Sequence, residues 1–375
     1  MPAPRSLARP RFPLENPKPD FRRLRKTLLG GQADRVPMLE ISIDRPVMEA
    51  FLGKPIKEYA DHAEFWARAG YDHVTVFFGY RFAPRGATPK EGRRVTRFRR
   101  SLYTDEAVER EWRAEKSGWA TTLAELKAFR WPRKSEAAFR SVDGIGEVLW
   151  RGQKVIAITT LHEQAASMLG TETLLYAVAD QPGLVEYAYA KVGERIVHGF
   201  EEVAERPHVG ALWLGDDLAY TEGMFYNPDV MRKTLFPWYR EIGKIARAHN
   251  LPLVFHSDGD IRPVIPDLIE MGFNAIHPIE PKAMDIAEIK RAYGDRLCLC
   301  GNIDLCYTLT RGTPEEVRAE VKERIRTVGR GGGYAVGSAN SVTDYVPLEN
   351  YVAMLEAVRD YGRYPTAPAR KRLRG

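Results

Sequence analysis

A chain of 375 residues with 44% hydrophobic content can bury a core the size of one large domain or two average ones. Its formal charge of +6 is modest, and no recognition motif accompanies the basic clusters Arg93–Arg100 and Arg370–Arg374, which argues against nucleic-acid binding. No apolar run approaches the ~20 residues that span a bilayer, and three cysteines are too few for a disulfide framework.

The chain opens with MPAPRSLARPRFPLENPKPDF, rich in proline and arginine and without the apolar centre of a secretory signal. An extended or disordered arm over residues 1–34 and a cytoplasmic location are expected. Strand-like and helix-like segments then alternate. The strand candidates are Val36–Ser42, His73–Phe78, Lys154–Thr159, Ala211–Leu214, Pro252–His256, Ala275–Ile279, Leu297–Gly301 and Tyr334–Gly337. Helical patterns fill the intervals: Arg45–Leu52, Lys57–Ala69, Leu161–Leu169, Thr171–Val178, Gly183–Ala204, Pro228–His249, Ile261–Met271, Met284–Ala292 and Pro314–Val328, with Leu348–Tyr361 last. Thr313-Pro314-Glu315-Glu316 sets a cap, an N1 proline and first-turn acids in order. Cys298 and Cys300 share one face of a strand and read as small core residues rather than ligands.

Eight β-then-α units point to an α/β fold, a closed (β/α)8 TIM barrel forming a single domain over residues 1–375. Gly331-Gly332-Gly333 precedes the last strand and so reads as a turn, not a dinucleotide fingerprint. About 75 residues separate the second and third strands, a long insertion (about 79–150) with a basic hairpin-like piece at Arg81–Tyr103. An insertion after a barrel strand falls on the active face, so a lid or docking element is expected, with structural decoration as the alternative.

Barrel enzymes carry their chemistry on the loops that follow the strands. Those positions hold Glu40; His162 and Glu163; the adjacent Asp216 and Asp217; His256 and Asp258; His277 and Glu280; Asn302 and Asp304; Ser338 and Asn340. In the segment LPLVFHSDGD, an imidazole and a carboxylate two residues apart follow a buried strand, a spacing that lets both reach one metal ion or one substrate proton. Strand-end acids also serve as helix caps, and His277, just before Pro278 near a strand end, reads as a core histidine ahead of a site residue. Asp216 and Asp217 are neighbours, so only one of them faces the pocket.

Several segments in order, GDDLAY (Gly215–Tyr220), Asn227–Asp260, MGFNAIHPIEP (Met271–Pro281), CGNID (Cys300–Asp304) and Gly331–Gly362, resemble the uroporphyrinogen decarboxylase superfamily, which includes cobalamin-linked methyltransferases. The likeness runs roughly from Val36 to Tyr361 and is strongest after Gly210. It implies a (β/α)8 barrel with its pocket at the C-terminal mouth. In the decarboxylases an arginine motif, MRQAGRY, follows the first strand; here the position reads MLEISIDRP, with no arginine pair for substrate carboxylates. The corrinoid methyltransferases carry a His-x-Cys-Gly zinc motif and a further cysteine near the eighth strand. Here His256-Ser257-Asp258-Gly259 has aspartate in the cysteine position, and Gly337-Ser338-Ala339-Asn340 has no cysteine. Such a site is harder, open to divalent ions besides zinc, and suited to polarising an oxygen.

The resemblance thus implies a methyltransferase acting on a small methylated compound, methoxy compounds included, with a corrinoid protein or cofactor as methyl partner. His256 and Asp258 would ligate a divalent metal, zinc first; Asp217 or Glu280 would add a ligand or acid, with Glu40 a further pocket acid. Asp216, His162, Asn302, Asp304, Ser338 and Asn340 would line the substrate. Two alternatives stand beside it: a metal-free decarboxylase in which Asp217 stabilises a pyrrole cation, and a barrel that binds a tetrapyrrole or corrinoid partner without turnover. A homodimer is the base-rate assembly.

Overall fold

The computed structural model describes residues 12–82 and 118–364. The basic clusters Arg93–Arg100 and Arg370–Arg374, most of the hairpin expected at Arg81–Tyr103 and the first part of the arm lie outside the described residues. No helix among the described residues is long and apolar enough to cross a membrane.

Seven parallel strands form one curled sheet: β1 (His73–Phe77), β2 (Lys154–Thr159), β3 (Val209–Gly215), β6 (Leu253–His256), β7 (Ala275–His277), β8 (Cys298–Cys300) and β9 (Tyr334–Ala335), neighbours in that order. A two-stranded hairpin, β4 (Ala219–Tyr220) with β5 (Gly223–Met224), hangs from the end of β3. The wall strands are short apolar runs buried on both faces, as parallel strands covered by helices must be.

The closed eight-stranded barrel expected from the sequence is corrected in one place. Residues 36–42 do not form a regular strand. They extend the ladder beyond β9 by single bridges, with Leu39 N–H donating to Val336 O (2.9 Å) and Val336 N–H to Pro37 O (2.9 Å). Toward β1 there is no ladder among the described residues; the Thr75 hydroxyl takes the Glu40 carbonyl instead (2.8 Å). Pro37 lacks an N–H to give, and a carbonyl already bonded to a side chain has less to offer a neighbouring strand. The sheet is therefore an open, curled half-barrel with a seam between residues 36–42 and β1.

Alternation along the strands sorts side chains onto two sides of the wall. Leu39, Ile41, Ile158, Trp213, Val254 and Cys300 share a cluster inside the curl. Their neighbours in sequence, among them Met38, Ala157, Leu212, Phe255 and Leu299, pack outward against the helices. The floor of the curl corrects a second expectation. Part of the supposed arm is a helix, Phe21–Leu28, capped by Asp20, and its Phe21, Leu24 and Leu28 join the inner cluster. Pro237 divides the expected helix Pro228–His249 into Pro228–Thr234 and Phe236–Ala248, since proline lacks the N–H and crowds the preceding turn. In the insertion, the described part contains the helices Leu123–Ala128 and Arg140–Val148.

Candidate metal centre

The register places Gly215, His256 and His277 side by side at the C-terminal ends of β3, β6 and β7. Trp213 and Val254, two residues upstream, face the inner cluster. By the two-residue repeat His256 faces inward too, and Asp217 and Asp258 follow one step higher on their strands. The Asp217, His256 and Asp258 side chains each bring one ligand atom into a group lying within 4.8 Å of one another. His256 Nε2 is 3.5 Å from Asp217 Oδ1 and 4.0 Å from Asp258 Oδ1.

Each member is held by its surroundings. Asp217 Oδ1 accepts the Asp258 N–H (2.9 Å), and Asn340 Nδ2 donates to Asp258 Oδ2 (2.7 Å). Ser257 ties the two loops together: its Oγ accepts the Leu218 N–H (3.0 Å) and donates to Asp258 O (2.8 Å). Glu280 Oε2 accepts the Gly259 N–H (3.1 Å). Gly259 itself has φ +79°, and a Cβ there would stand 2.5 Å from the backbone of Ala219 and Tyr220, so glycine lets the hairpin close over the loop.

The two imidazoles meet through their Nδ1 atoms at 2.8 Å. Burial lowers the proton affinity of both; for His256 the charges of Asp217 and Asp216 work in the opposite direction. Two neutral rings can share one proton across that contact. The tautomer in which His256 Nδ1–H donates leaves its Nε2 lone pair turned to the carboxylates. Asp258 is in the reverse position: burial first, then Asp217 and Glu280, push its proton affinity well above the ordinary carboxylate value. One third of its side chain is exposed, yet Oδ1 is buried and has no hydrogen-bond partner. An unpartnered buried carboxylate oxygen is costly. One imidazole nitrogen and two carboxylates form a donor set that fits a divalent cation of the zinc or manganese type, and a cation would relieve both the repulsion and the orphaned oxygen.

The remaining expected site residues separate into three groups. Glu280 and Asn340 stand beside the cluster, as described. Glu40, Asp216 and Ser338 do not: they alternate with inward residues and face the helix layer. Glu40, wholly buried, accepts from Ser338 N–H and Oγ–H (both 2.7 Å). Asp216, also wholly buried, accepts from Leu161 N–H (2.8 Å), Glu163 N–H (3.1 Å) and the Tyr239 hydroxyl (2.7 Å), anchoring the helix His162–Leu169 to β3. These three are wall residues, which corrects their placement in the pocket. The third group sits in local networks. His162 Nδ1 meets the Tyr189 hydroxyl (2.7 Å), which meets that of Tyr226 (2.7 Å). Asp304 accepts the N–H groups of Cys306 and Tyr307 (2.9 Å each), closing a turn. Asn302 Nδ2 donates to Ile279 O (2.8 Å), while its Oδ1 is buried without a partner. Cys298 and Cys300 are fully buried, with sulfurs 3.9 Å apart. The sequence favours a core histidine at position 277; His277 is indeed buried, and it also bonds the ring of His256. Its position at the end of a strand, as with His256, was the available signal.

The family model for uroporphyrinogen decarboxylase (URO-D) matches residues 164–361. Methylcobamide:CoM methyltransferase MtaA of Methanosarcina barkeri is 29% identical over 137 residues, 36% of this chain and 39% of that protein. The uroporphyrinogen decarboxylase of Methylococcus capsulatus is 35% identical over 77 residues, 20% of this chain and 21% of its own length. Each likeness to a curated relative thus spans well under half of that relative. A methyltransferase from Methanosarcina mazei shares the fold across 90% of this chain and 98% of its own, with a TM-score of 0.63 at 19% identity. The match of the family model over more than half of the chain shows that this chain belongs to the uroporphyrinogen decarboxylase (URO-D) family.

Proposed function

We propose that this protein is a metal-dependent methyltransferase acting on an oxygen-linked methyl group of a small compound, with a corrinoid protein as methyl partner. The observation that carries the reading is the Asp217–His256–Asp258 cluster, whose buried Asp258 Oδ1 lacks a partner. The likeness to methyltransferases supports the reaction class.

Asp217, His256 and Asp258 would hold the ion. A divalent ion bound there supplies Lewis acidity toward an ether oxygen. The chain's own residues do the rest. His277 fixes the His256 ring and its tautomer. Asn340 occupies Asp258 Oδ2, so that Oδ1 is the atom left for the cluster. The Asp258 N–H pins Asp217. Glu280, with one oxygen on Gly259 N–H, stands beside the cluster to hold or give a proton. The aspartate in the place of a thiolate favours an oxygen over a sulfur substrate.

Metal content of protein purified without chelator, and Co(II) or Zn(II) titration of wild type against His256→Ala and Asp258→Asn, test the assignment without an activity assay. Near-stoichiometric metal in the wild type and weaker binding in both variants are expected. Metal-free wild type, with the same weak affinity in all three proteins, would remove the centre. The likeness to uroporphyrinogen decarboxylases keeps tetrapyrrole decarboxylation as the second reading; turnover of uroporphyrinogen by chelator-treated protein would decide for it.

A further inference from the structure

A chain of side-chain hydrogen bonds joins the first stretch to the Asp217–His256–Asp258 cluster. At its end that stretch is held from the β9 side: Val342 N–H donates to Ser42 O (3.1 Å), Asp44 N–H donates to Val342 O (2.8 Å), and Ile43 bridges Val342 in parallel. This backbone pairing sets the half-buried Ser42 beside the half-buried Ser341. The Ser42 hydroxyl donates to Ser341 Oγ (2.9 Å) and the Ser341 hydroxyl to Asn340 Oδ1 (3.0 Å). Asn340 Nδ2 then donates to Asp258 Oδ2 (2.7 Å).

The chain runs in one direction. An ionised carboxylate only accepts, so the Asn340 nitrogen faces Asp258 and the Asn340 oxygen needs a donor of its own. Ser341 supplies it. A hydroxyl turns about its C–O bond, and by itself the Ser341 proton could point to water as well as to Asn340. The Ser42 proton takes one side of Ser341 Oγ and leaves the Ser341 proton for the carboxamide. Bonds in such a series polarise one another, and groups one step behind a metal ligand set its orientation. Positions 42 and 341 are remote in the sequence; the parallel bridge at Ile43 and Val342 is what brings their side chains together.

We infer that Ser42 and Ser341 are positioning residues for Asp258, acting through the Asn340 carboxamide. Ser42 settles which face of Asn340 meets Asp258, and so keeps Asp258 Oδ2 engaged and Oδ1 turned toward Asp217 and His256. Resting on the metal-centre reading, this extends the surroundings of the ion as far as the stretch that borders the open seam. A change at residue 42 thus reaches the centre without touching any of its three ligands.

The test has one arm with metal and one without. Zn(II) affinity, read by competition with a chromogenic chelator, should fall about three- to tenfold in Ser42→Ala and in Ser341→Ala, less than for a direct partner of a ligand. Ser42→Thr keeps the hydroxyl and should restore it. In an Asn340→Ala background Ser42→Ala should have no further effect, because the link through which it acts is gone. Tyr239→Phe, which loosens the buried wall residue Asp216, controls for lost stability: its affinity should match wild type. In the second arm, EDTA-treated protein labelled with [15N]asparagine is followed by NMR. The Asn340 side-chain amide signal, assigned by its loss in Asn340→Ala, should move in Ser42→Ala and in Asp258→Asn and stay in Ser42→Thr. An amide signal indifferent to Ser42→Ala, or an affinity that Ser42→Ala leaves unchanged or lowers equally with and without Asn340, would overturn the positioning role and leave the centre standing. Wild type that binds no Zn(II) while its amide signal responds as expected would remove the metal centre and keep the chain from Ser42 to Asp258.

Discussion

Replacing Glu40 with glutamine tests how an ionisable group was fitted into the helix-facing side of the wall. The Glu40 carboxyl is wholly buried, with Ser338 N–H on one oxygen and the Ser338 hydroxyl on the other. Burial raises its pKa from 4.5 to about 8, with the two Ser338 bonds pulling weakly the other way. Between pH 4.5 and 8 the folded protein therefore keeps a proton that the unfolded chain has lost. Stability is full below about 4.5 and falls as pH rises through about 8. At about 1.4 kcal/mol per tenfold change in proton affinity, the whole decline amounts to about 5 kcal/mol. Glutamine has the same shape: its oxygen accepts from Ser338 N–H, its amide donates to Ser338 Oγ, and it has no proton to lose. Urea unfolding followed by tryptophan fluorescence at pH 5.5, 7 and 8.5 should show wild type losing stability along the series, with Glu40→Gln nearly flat and the more stable of the two at pH 8.5. Parallel pH curves for the two proteins would refute the reasoning, because the decline would then belong to other groups.

Asn340→Ala removes the donor to Asp258 Oδ2; Zn(II) affinity should fall by about 10- to 100-fold, the usual effect of losing an outer partner of a ligand, as read by competition with a chromogenic chelator. Gly259→Ala forces a side chain into a backbone with φ +79° and against the hairpin at 2.5 Å. Strain alone costs about 1–2 kcal/mol, so calorimetry should show a lower melting temperature, and metal affinity should fall with it because the loop carries Asp258. Tyr239→Phe strips one donor from the buried Asp216 carboxylate; a loss of about 1–3 kcal/mol is expected in urea unfolding, with metal binding unchanged.

Much of the wall was legible in the linear pattern. Seven of the eight expected strands are present because runs such as KVIAIT and LVFH, buried on both faces, have no other stable place. The helix starting at Thr313 follows its capping box, and the break before Phe236 was available from Pro237. The floor helix was missed because its apolar positions, Phe21, Leu24 and Leu28, are embedded in FRRLRKTL, a mostly basic octet beside a proline-rich leader. Its burial depends on a cavity made by distant strands.

The same division runs through the site. Composition and spacing by themselves determined that ionisable residues gather at strand ends, and that His256 and Asp258 point the same way, since a two-residue step on an extended chain returns to the same face. Which face that is, no local pattern states. Glu40 and Asp216 follow strands as polar as their neighbours, yet each lies one residue out of phase with the inner cluster and so turns into the helix layer. The parity of a strand is set by its register against partners far away in the chain, and so is the meeting of Asp217 with His256 and of His256 with His277. Tertiary structure also decided that the first stretch does not close onto β1, because that pairing depends on which partner claims the Glu40 carbonyl.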